Sequence, residues 1–392
     1  MELMKRELER ISRFLDEKYA AGIRLLEQLV NVDSPSKDKV LTDRAGQVIL
    51  RYFDQAGITY RLEENRDYGD FILATIRKGG PGGKILLLGH RDTVFPAGTA
   101  SVRPFKIEGN RAYGPGVADM KGGLVIAILA AQALKETGIE MGDIELLITA
   151  DEEIGSPSSR PVIERRAREA TAVFNLESGR PDGSVVTARR GSAHLTMQIE
   201  GVAAHSGLNI EEGISAIEEL SHKIIALHRL TDLEQGITVN VGWIEGGVNT
   251  NVVAPHATGE IHLGFWTHND FNQVYTKIKS IIERSYLPGT TSRLEGGISF
   301  LPMEKHEGVK KLYRIVQEAA SILGIELSEQ RTKGAADAGF PASLGVPTIC
   351  GMGPVGGHYH SEKEYIELDT MIPRAKLLAC SMVLASRRLS PS

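Results

Sequence analysis

Several short stretches of this sequence set imidazole or carboxylate side chains directly after apolar runs, and these are the residue types that hold divalent cations. In GHRDT, residues 89–93, His90 and Asp92 are two apart on an extended chain. Period-two geometry turns them to one side, where Asp92 could orient the imidazole of His90 behind a metal. HxD alone is equally compatible with a solvent-facing turn. In YGPGVADMKGG, residues 113–123, Asp119 closes a glycine-rich loop in front of an apolar helix. It reads either as a helix cap or as a metal-bridging carboxylate. In ADEEIGS, residues 150–156, Glu152 and Glu153 follow an apolar run. Adjacent carboxylates there repel each other and lose solvation, a cost that a cation removes and a solvated turn never meets. With a cation, Glu153 binds the metal and Glu152 stays free as general base. Glu177 in FNLESG, and His358 and His360 in GGHYHSEKE, also follow apolar strands, and one of the two histidines is expected to be a bystander. The set supplies two imidazoles and three carboxylates, enough for two borderline ions that share one carboxylate and leave a position for water.

The elements that position these groups alternate between strand and helix over residues 71–180: FILATIR, KILLLGH, a helix from Lys121, DIELLITADEE, a helix near Val162, and AVFNLES. The near-continuous apolar strands ILLLG and ELLITA suit an α/β sheet with helices on both faces. The polar groups sit at the strands' C-terminal ends, where open α/β sheets bind ligands. From Arg190 to Phe300 the style changes to SAHLTMQIEG, a helix from Ile214, ITVNVGWIEGG, ATGEIHLGF and a helix from Phe271. Its alternating strands indicate a sheet covered on one face only. After Leu301 the first style returns, with a helix from Val309, the loop TKGAADAG, the strand VPTICGMG and a helix from Met371. The expected organisation is therefore a domain of residues 1–189 and 301–392, with an α+β unit of residues 190–300 inserted.

Composition narrows the classes. The chain has 392 residues, beyond the size at which one core stops growing, so two domains are expected. A net charge of -5 with no basic run argues against nucleic acid. The N-terminal MELMKRELERISRFLDEKY reads as an amphipathic helix, without the apolar core of a signal peptide. The apolar stretch Gly123 to Leu134 is shorter than the roughly 20 residues a bilayer takes, so no membrane span is expected. Cys350 and Cys380 lie in apolar contexts, which argues against disulfides and thiolate metal sites and fits the cytoplasm.

HRDT, GVADMKGG, DEEIGS, the Glu of FNLES, VAAHSG and YHSEKE resemble, in that order, the signatures of the dinuclear zinc aminoacylase, glutamate carboxypeptidase and succinyl-diaminopimelate desuccinylase family of metallopeptidases. The resemblance spans nearly the whole chain, with residues 1–189 and 301–392 as catalytic domain and 190–300 as lid and dimerisation domain. It implies a hydrolase that cleaves an amide C–N bond of an N-acyl amino acid, a dipeptide or a glutamate-carboxypeptidase-like substrate. His90, Asp119 and Glu177 would hold one metal and Asp119, Glu153 and His360 the other. Zinc is the first expectation for both, with manganese or cobalt as alternatives. A water between the metals would attack the carbonyl with Glu152 as general base, and Asp92 would support His90. The Asp119–Met120 peptide is expected to be cis. In the lid, His205 would stabilise the oxyanion and Asn251 contact substrate, and the lid would pair two subunits into a homodimer.

One departure concerns specificity. The carboxypeptidase branch carries, on the lid strand matched by ATGEIHLGFWTHNDF, an arginine that grips the substrate's α-carboxylate; here Gly264 takes its place. Lys333, in RTKGAADAG, and Arg189 or Arg190, at the hinge, are candidate replacements. Alternatively Gly264 opens room for a bulkier or aromatic group, which would fit a deaminase or amidase acting on a non-peptide substrate. A catalytically dead binding protein would show damage to the ligand set or to Glu152, and all of these residues are present.

Overall fold

The computed structural model describes residues 2–389. The chain runs α1 (Glu2–Val30), α2 (Lys39–Gln55), β1 (Thr59–Glu63), β2 (Phe71–Arg77), β3 (Ile85–His90), α3 (Gly122–Thr137), β4 (Ile144–Thr149), α4 (Ser159–Arg168) and β5 (Ala172–Asn175). It continues through β6 (Gly191–Glu200), α5 (Ala216–His228), β7 (Thr238–Gly246), β8 (His256–Phe265), α6 (His268–Glu283) and β9 (Thr291–Phe300). Then come α7 (Glu307–Ile322), β10 (Thr348–Ile349) and α8 (Met371–Arg388), with shorter strands and turns between these elements.

Two compact units result. The first, residues 1–188, 305–332 and 336–392, is built on a six-stranded sheet in the order β1-β2-β4-β3-β5-β10. β3 runs parallel to β4 and β5, and β10 parallel to β5, while β1 and β2 add an antiparallel edge. Every residue of β3 is buried, so the centre of the sheet is covered on both faces, as its unbroken apolar run requires. α3 packs against α1, α8 and the sheet. By length and composition, Val117–Thr137, longer than the apolar stretch Gly123 to Leu134, would pass for a membrane span, but 94% of its apolar window is buried inside the protein. It is a core helix. The parallel arrangement sets the C-terminal ends of β3, β4 and β5 side by side, and the chemistry-bearing groups follow those ends.

The second unit, residues 189–304 and 333–335, is an antiparallel sheet in the order β7-β8-β6-β9 with α5 and α6 on one face. Ala193, Leu195, Met197 and Ile199 of β6 and Ile261, Leu263 and Phe265 of β8 point into a core with Leu220, Leu227, Val274 and Ile278 of the helices. The intervening residues form the opposite, polar face. Its limits differ slightly from the expected 190–300. The Arg189 guanidinium donates to the carbonyls of Gly334 at 3.1 Å and Ala335 at 3.3 Å, which draws the 333–335 loop into this unit.

Some element limits also differ from those expected. The helix expected from Ile214 starts at Ala216, because the Ser215 side chain caps it, and the one expected from Phe271 starts at His268 under a Thr267–Asp270 capping box. VPTICGMG is a strand only at Thr348–Ile349, since from Cys350 the chain leaves the sheet and bridges to Val186 and Gly179. β9 has no clear apolar alternation and carries Gly296 at φ 97°, so its sequence does not announce a strand.

Candidate metal centre

The ends of β3, β4 and β5, the loop before α3 and the loop before α8 bring His90, Asp119, Glu152, Glu153, Glu177 and His360 together. His90 Nε2 lies 3.3 Å from Asp119 Oδ1 and 3.6 Å from Glu177 Oε1. His360 Nε2 lies 3.1 Å from Asp119 Oδ2 and 3.2 Å from Glu153 Oε2. The two oxygens of Asp119 thus face two different histidines. Two triplets with mutually close ligand atoms share that residue: His90–Asp119–Glu177 and Asp119–Glu153–His360. Glu152 belongs to neither triplet and stands 3.9 Å from His90 Nε2. His358 is exposed and packs its ring near Tyr365 instead.

The backbone here is unusual. Asp119 does not cap α3; it lies in the Val117–Lys121 turn ahead of the helix, and the Asp119–Met120 peptide is cis. His360 has φ 58°, in the left-handed region, at the turn that aims its ring.

Asp92 is wholly buried and surrounded by donors. Its Oδ2 accepts from Ser36 Oγ at 2.6 Å and from the Glu153 N–H at 3.1 Å, and its Oδ1 from the Glu152 N–H at 3.3 Å. His90 Nδ1 lies 3.4 Å from that same Oδ1 and 3.1 Å from the Asp92 carbonyl oxygen. Two acceptors on the Nδ1 side place the imidazole proton there, which leaves the Nε2 lone pair aimed at carboxylates.

That is repulsive unless a proton or a metal cation lies between, and the residues present fit a metal. His90 Nε2 and Glu153 Oε1 are buried with no hydrogen-bond partner, and the N/O donor set suits borderline divalent ions. The electrostatics agree. Burial, reinforced by the charge of Asp119, pushes Glu153 up to about 8, and burial raises Glu152 as well. Hydrogen bonds with Asp119 and Glu153 carry His360 to about 10. Burial opposes the ionisation of Asp119, but hydrogen bonds with His360 and His90 hold it well below the usual carboxylate range. Excess negative charge keeps protons on this cluster, and divalent cations remove such an excess.

Other positioning groups are not singled out by the sequence reading. Buried Glu364 accepts the backbone N–H of Ala118 at 2.8 Å, of Asp119 at 2.9 Å and of Gly116 at 3.2 Å. Ser178 Oγ donates to the Ala118 carbonyl at 2.6 Å. The Asp119 turn is therefore tied to the segments that carry His360 and Glu177. Asp337, buried beneath the Glu152 turn, accepts from Ser156 Oγ. In YHSEKEY, Glu362 and Glu364 look alike, yet Glu362 is exposed and only Glu364 turns inward, so spacing from His360 is the one usable signal.

In the inserted unit, His205 Nδ1 accepts the N–H of Gly207 at 3.1 Å and of Leu208 at 3.2 Å, so the proton of the neutral ring sits on Nε2. The Ser206 N–H donates to the Asn251 carbonyl at 3.0 Å, which fixes the His205 and Asn251 loops side by side. Lys333 is exposed. The space beside Gly264 is filled, which corrects the expectation that this glycine makes room for a bulkier group. A Cβ there would lie 2.7 Å from Thr238 Oγ1 and 3.3 Å from Arg190 Cζ.

Comparison with known proteins shows the kinship. The signature of peptidase family M20/M25/M40 matches residues 86–383. The chain is 30% identical over 377 residues to carboxypeptidase G2 of Pseudomonas sp. (strain RS-16), covering 94% of this chain and 90% of that protein. Among solved structures, aminopeptidase PepT from Bacillus cereus superposes with a TM-score of 0.77 at 23% identity, over 94% of this chain and 99% of that one. The YXEP protein of Bacillus subtilis, described as a dinuclear metal binding peptidase, superposes with a TM-score of 0.70 at 16% identity, over 95% and 99%.

Proposed function

The chain belongs to peptidase family M20/M25/M40 and is a metal-dependent hydrolase, and on that premise we propose that it cleaves the amide bond of an N-acyl amino acid, a dipeptide or an acyl-glutamate. The observation that carries this reading is Asp119, whose two oxygens lie 3.3 Å and 3.1 Å from two separate histidines, with Glu152 beside both triplets and in neither. That Pseudomonas carboxypeptidase G2 is a relative over nearly the full chain supports the substrate class.

His90, Asp119 and Glu177 would hold one divalent ion, and Asp119, Glu153 and His360 the other. Zinc suits this set, and manganese or cobalt would also be accepted. When bound, the ions supply Lewis acidity that polarises the scissile carbonyl and makes water acidic. Glu152 accepts a proton on its free carboxylate and passes it to the leaving nitrogen. Asp92 keeps the His90 proton on Nδ1. His205 presents Nε2–H as a donor to the developing oxyanion, and Asn251 contacts substrate from the adjoining loop. Glu152→Gln should retain two metal equivalents and lose nearly all turnover; normal turnover in that variant would refute the mechanism.

A homodimer through the inserted unit belongs to the same reading. Edge strand β7 and α5 leave Trp243, Ile244, Ile217 and Ile225 exposed, an apolar surface suited to a second copy. Sedimentation at micromolar concentration should show a dimer, and a monomer there would remove this part. Cys350 and Cys380 are buried and in no disulfide, which supports a cytoplasmic location.

A further inference from the structure

Arg190 stands just before β6 and is only 6% exposed, yet no carboxylate pairs with it among the described residues. All its hydrogen bonds leave from Nη2, toward the carbonyl of Gly236, Thr238 Oγ1 at 3.3 Å and the carbonyl of Gly264 at 3.4 Å. Nε is buried with no acceptor at all. Buried Arg374 is a useful contrast. It gives Nε to the carbonyl of Gly353 at 2.9 Å, Nη1 to that of Gly183 at 3.0 Å and Nη2 to that of Gly351, so its donors are spent on clamping backbone. Arg190 is fixed by one nitrogen and keeps donors in reserve.

The side chains nearest to it on the sheet are neutral hydrogen-bonding groups rather than acids. On the polar face of the sheet, Gly264 is level with Thr238 and Ser192, and His262 in the next row is level with Asn240 and His194. The His262 and His194 rings are 5.2 Å apart, and His194 Nδ1 lies 2.9 Å from Ser299 Oγ. Burial, then the neighbouring His194 and Arg190, keep the His262 pKa below its ordinary value. The acids of this face nearest to it, Glu260 and Glu295, are level with Thr196, one row beyond the histidines and two from Gly264. On the other side, the Trp266 ring lies 5.8 Å from the Arg190 guanidinium carbon. A guanidinium taken out of water without a counter-charge is unfavourable, and an oxyanion brought by a ligand removes that penalty while meeting the unused donors.

We propose that Arg190, lodged in the volume that Gly264 leaves open for it, is the anchor for a carboxylate of the substrate, with His262 beside it as a second donor. Gly264 is then a requirement of this arrangement, because any side chain at 264 would collide with Thr238 and crowd the guanidinium. The proposal rests on the amide-hydrolase reading for the identity of its ligand, and it selects, within that reading, substrates that carry a free carboxylate.

The test uses the metal-loaded enzyme and N-acyl amino acids, each paired with its α-carboxamide. Arg190→Met should lower kcat/KM for the carboxylates roughly ten- to hundred-fold, chiefly through KM, and leave the amides within about threefold, as expected for one lost charged hydrogen-bonding partner. Arg190→Lys, which keeps the charge and much of the volume, should recover part of the loss. Equal loss on both members of each pair, or none on either, overturns the proposal, as does a wild type that cleaves only the amides. Thermal melting of each variant shows whether it is folded. Calorimetric titration with benzoate, with benzamide as uncharged control, separates the two levels of inference. If the wild type cleaves neither member of any pair, the functional reading fails, while benzoate affinity that falls in Arg190→Met still assigns the anion site. Benzoate affinity unchanged in that variant removes the site, whatever the enzyme hydrolyses.

Discussion

Replacing Asp92 by asparagine puts an NH2 group where every hydrogen-bonding neighbour of the side chain is a donor. The new carbonyl oxygen is best placed at the Oδ2 position, where Ser36 Oγ at 2.6 Å and the Glu153 N–H at 3.1 Å give the shorter bonds. The NH2 must then face the Glu152 N–H and His90 Nδ1, which stand 3.3 Å and 3.4 Å from Oδ1. One route of relief is transfer of the His90 proton to Nε2, which blocks the ligating nitrogen; the Asp92 carbonyl oxygen, 3.1 Å from Nδ1, opposes that transfer and survives the substitution. The net loss is about one charged hydrogen bond, or roughly 1.5–3 kcal/mol, which corresponds to roughly 10- to 150-fold in affinity for the ion that His90 would hold. The triplet of Asp119, Glu153 and His360 should weaken only a few-fold, through the Glu153 backbone. Chelator-competition titration that resolves two metal equivalents measures both, with melting of the metal-free protein as the control for folding. Ser36→Ala, which removes one of the donors, should move the same affinity in the same direction by less. Wild-type affinity for both equivalents, or equal losses at both, would refute the assignment of Asp92 as the group that orients His90.

The inserted unit offers a stability prediction. Lys223 and Glu219 are an ion pair at 2.9 Å with both side chains at 0% exposure, and Lys223 Nζ also donates to the carbonyls of Ile281, Ile282 and Arg284, while Glu219 accepts the N–H of Tyr286 and Leu287. Lys223→Met should destabilise the protein by about 3–5 kcal/mol in denaturant titration, whereas Lys279→Met, which breaks the exposed Lys279–Glu283 pair, should cost roughly 0–1 kcal/mol; similar values would refute the buried-pair argument. Burial works to raise the Glu219 pKa, but Lys223 and the two backbone N–H groups outweigh it, so the folded value lies below the ordinary one of about 4.3. Its stabilisation is therefore fully present above that ordinary value and lost as pH falls through the lower folded value. The stability difference between wild type and Glu219→Gln should shrink over that range and hold steady near neutrality; a difference independent of pH would contradict the shift.

What the sequence made legible follows the physics of short-range order. The strands Phe71–Arg77 and Ile85–His90 lie within a residue of the limits their apolar runs suggest, because a largely buried strand reads as a near-continuous apolar run. β9 was not legible, since a glycine-interrupted edge strand takes its conformation from β6 rather than from its own residues. The same division runs through the metal centre. His90, which ends a buried strand, and Glu153, in the turn after one, could be picked out from local context as candidates. Glu364, Ser178 and Ser36 could not, because each acts on a turn far away in sequence and only the folded chain gives it a partner.

Gly264 shows the limit from the other side. Read along the chain, a glycine on the outer face of a strand signals an absence, and an absence has several meanings: lost function, extra room, or space lent to a neighbour. Adding a Cβ at 264 decides among them, because the atom would lie 3.3 Å from Arg190 Cζ and 2.7 Å from Thr238 Oγ1. The room is in use. A cation supplied from just before β6, rather than from β8, changes the direction from which a carboxylate must approach, so substrates matched to an arginine at 264 should fit this chain poorly even where the charge is conserved. Gly264→Arg with Arg190→Gly and Thr238→Ala would place the charge at 264 and remove both groups that its Cβ would crowd. If the approach direction sets specificity, this exchange should alter the ranking of carboxylate substrates rather than abolish their cleavage; an unchanged ranking would mean that charge alone is read.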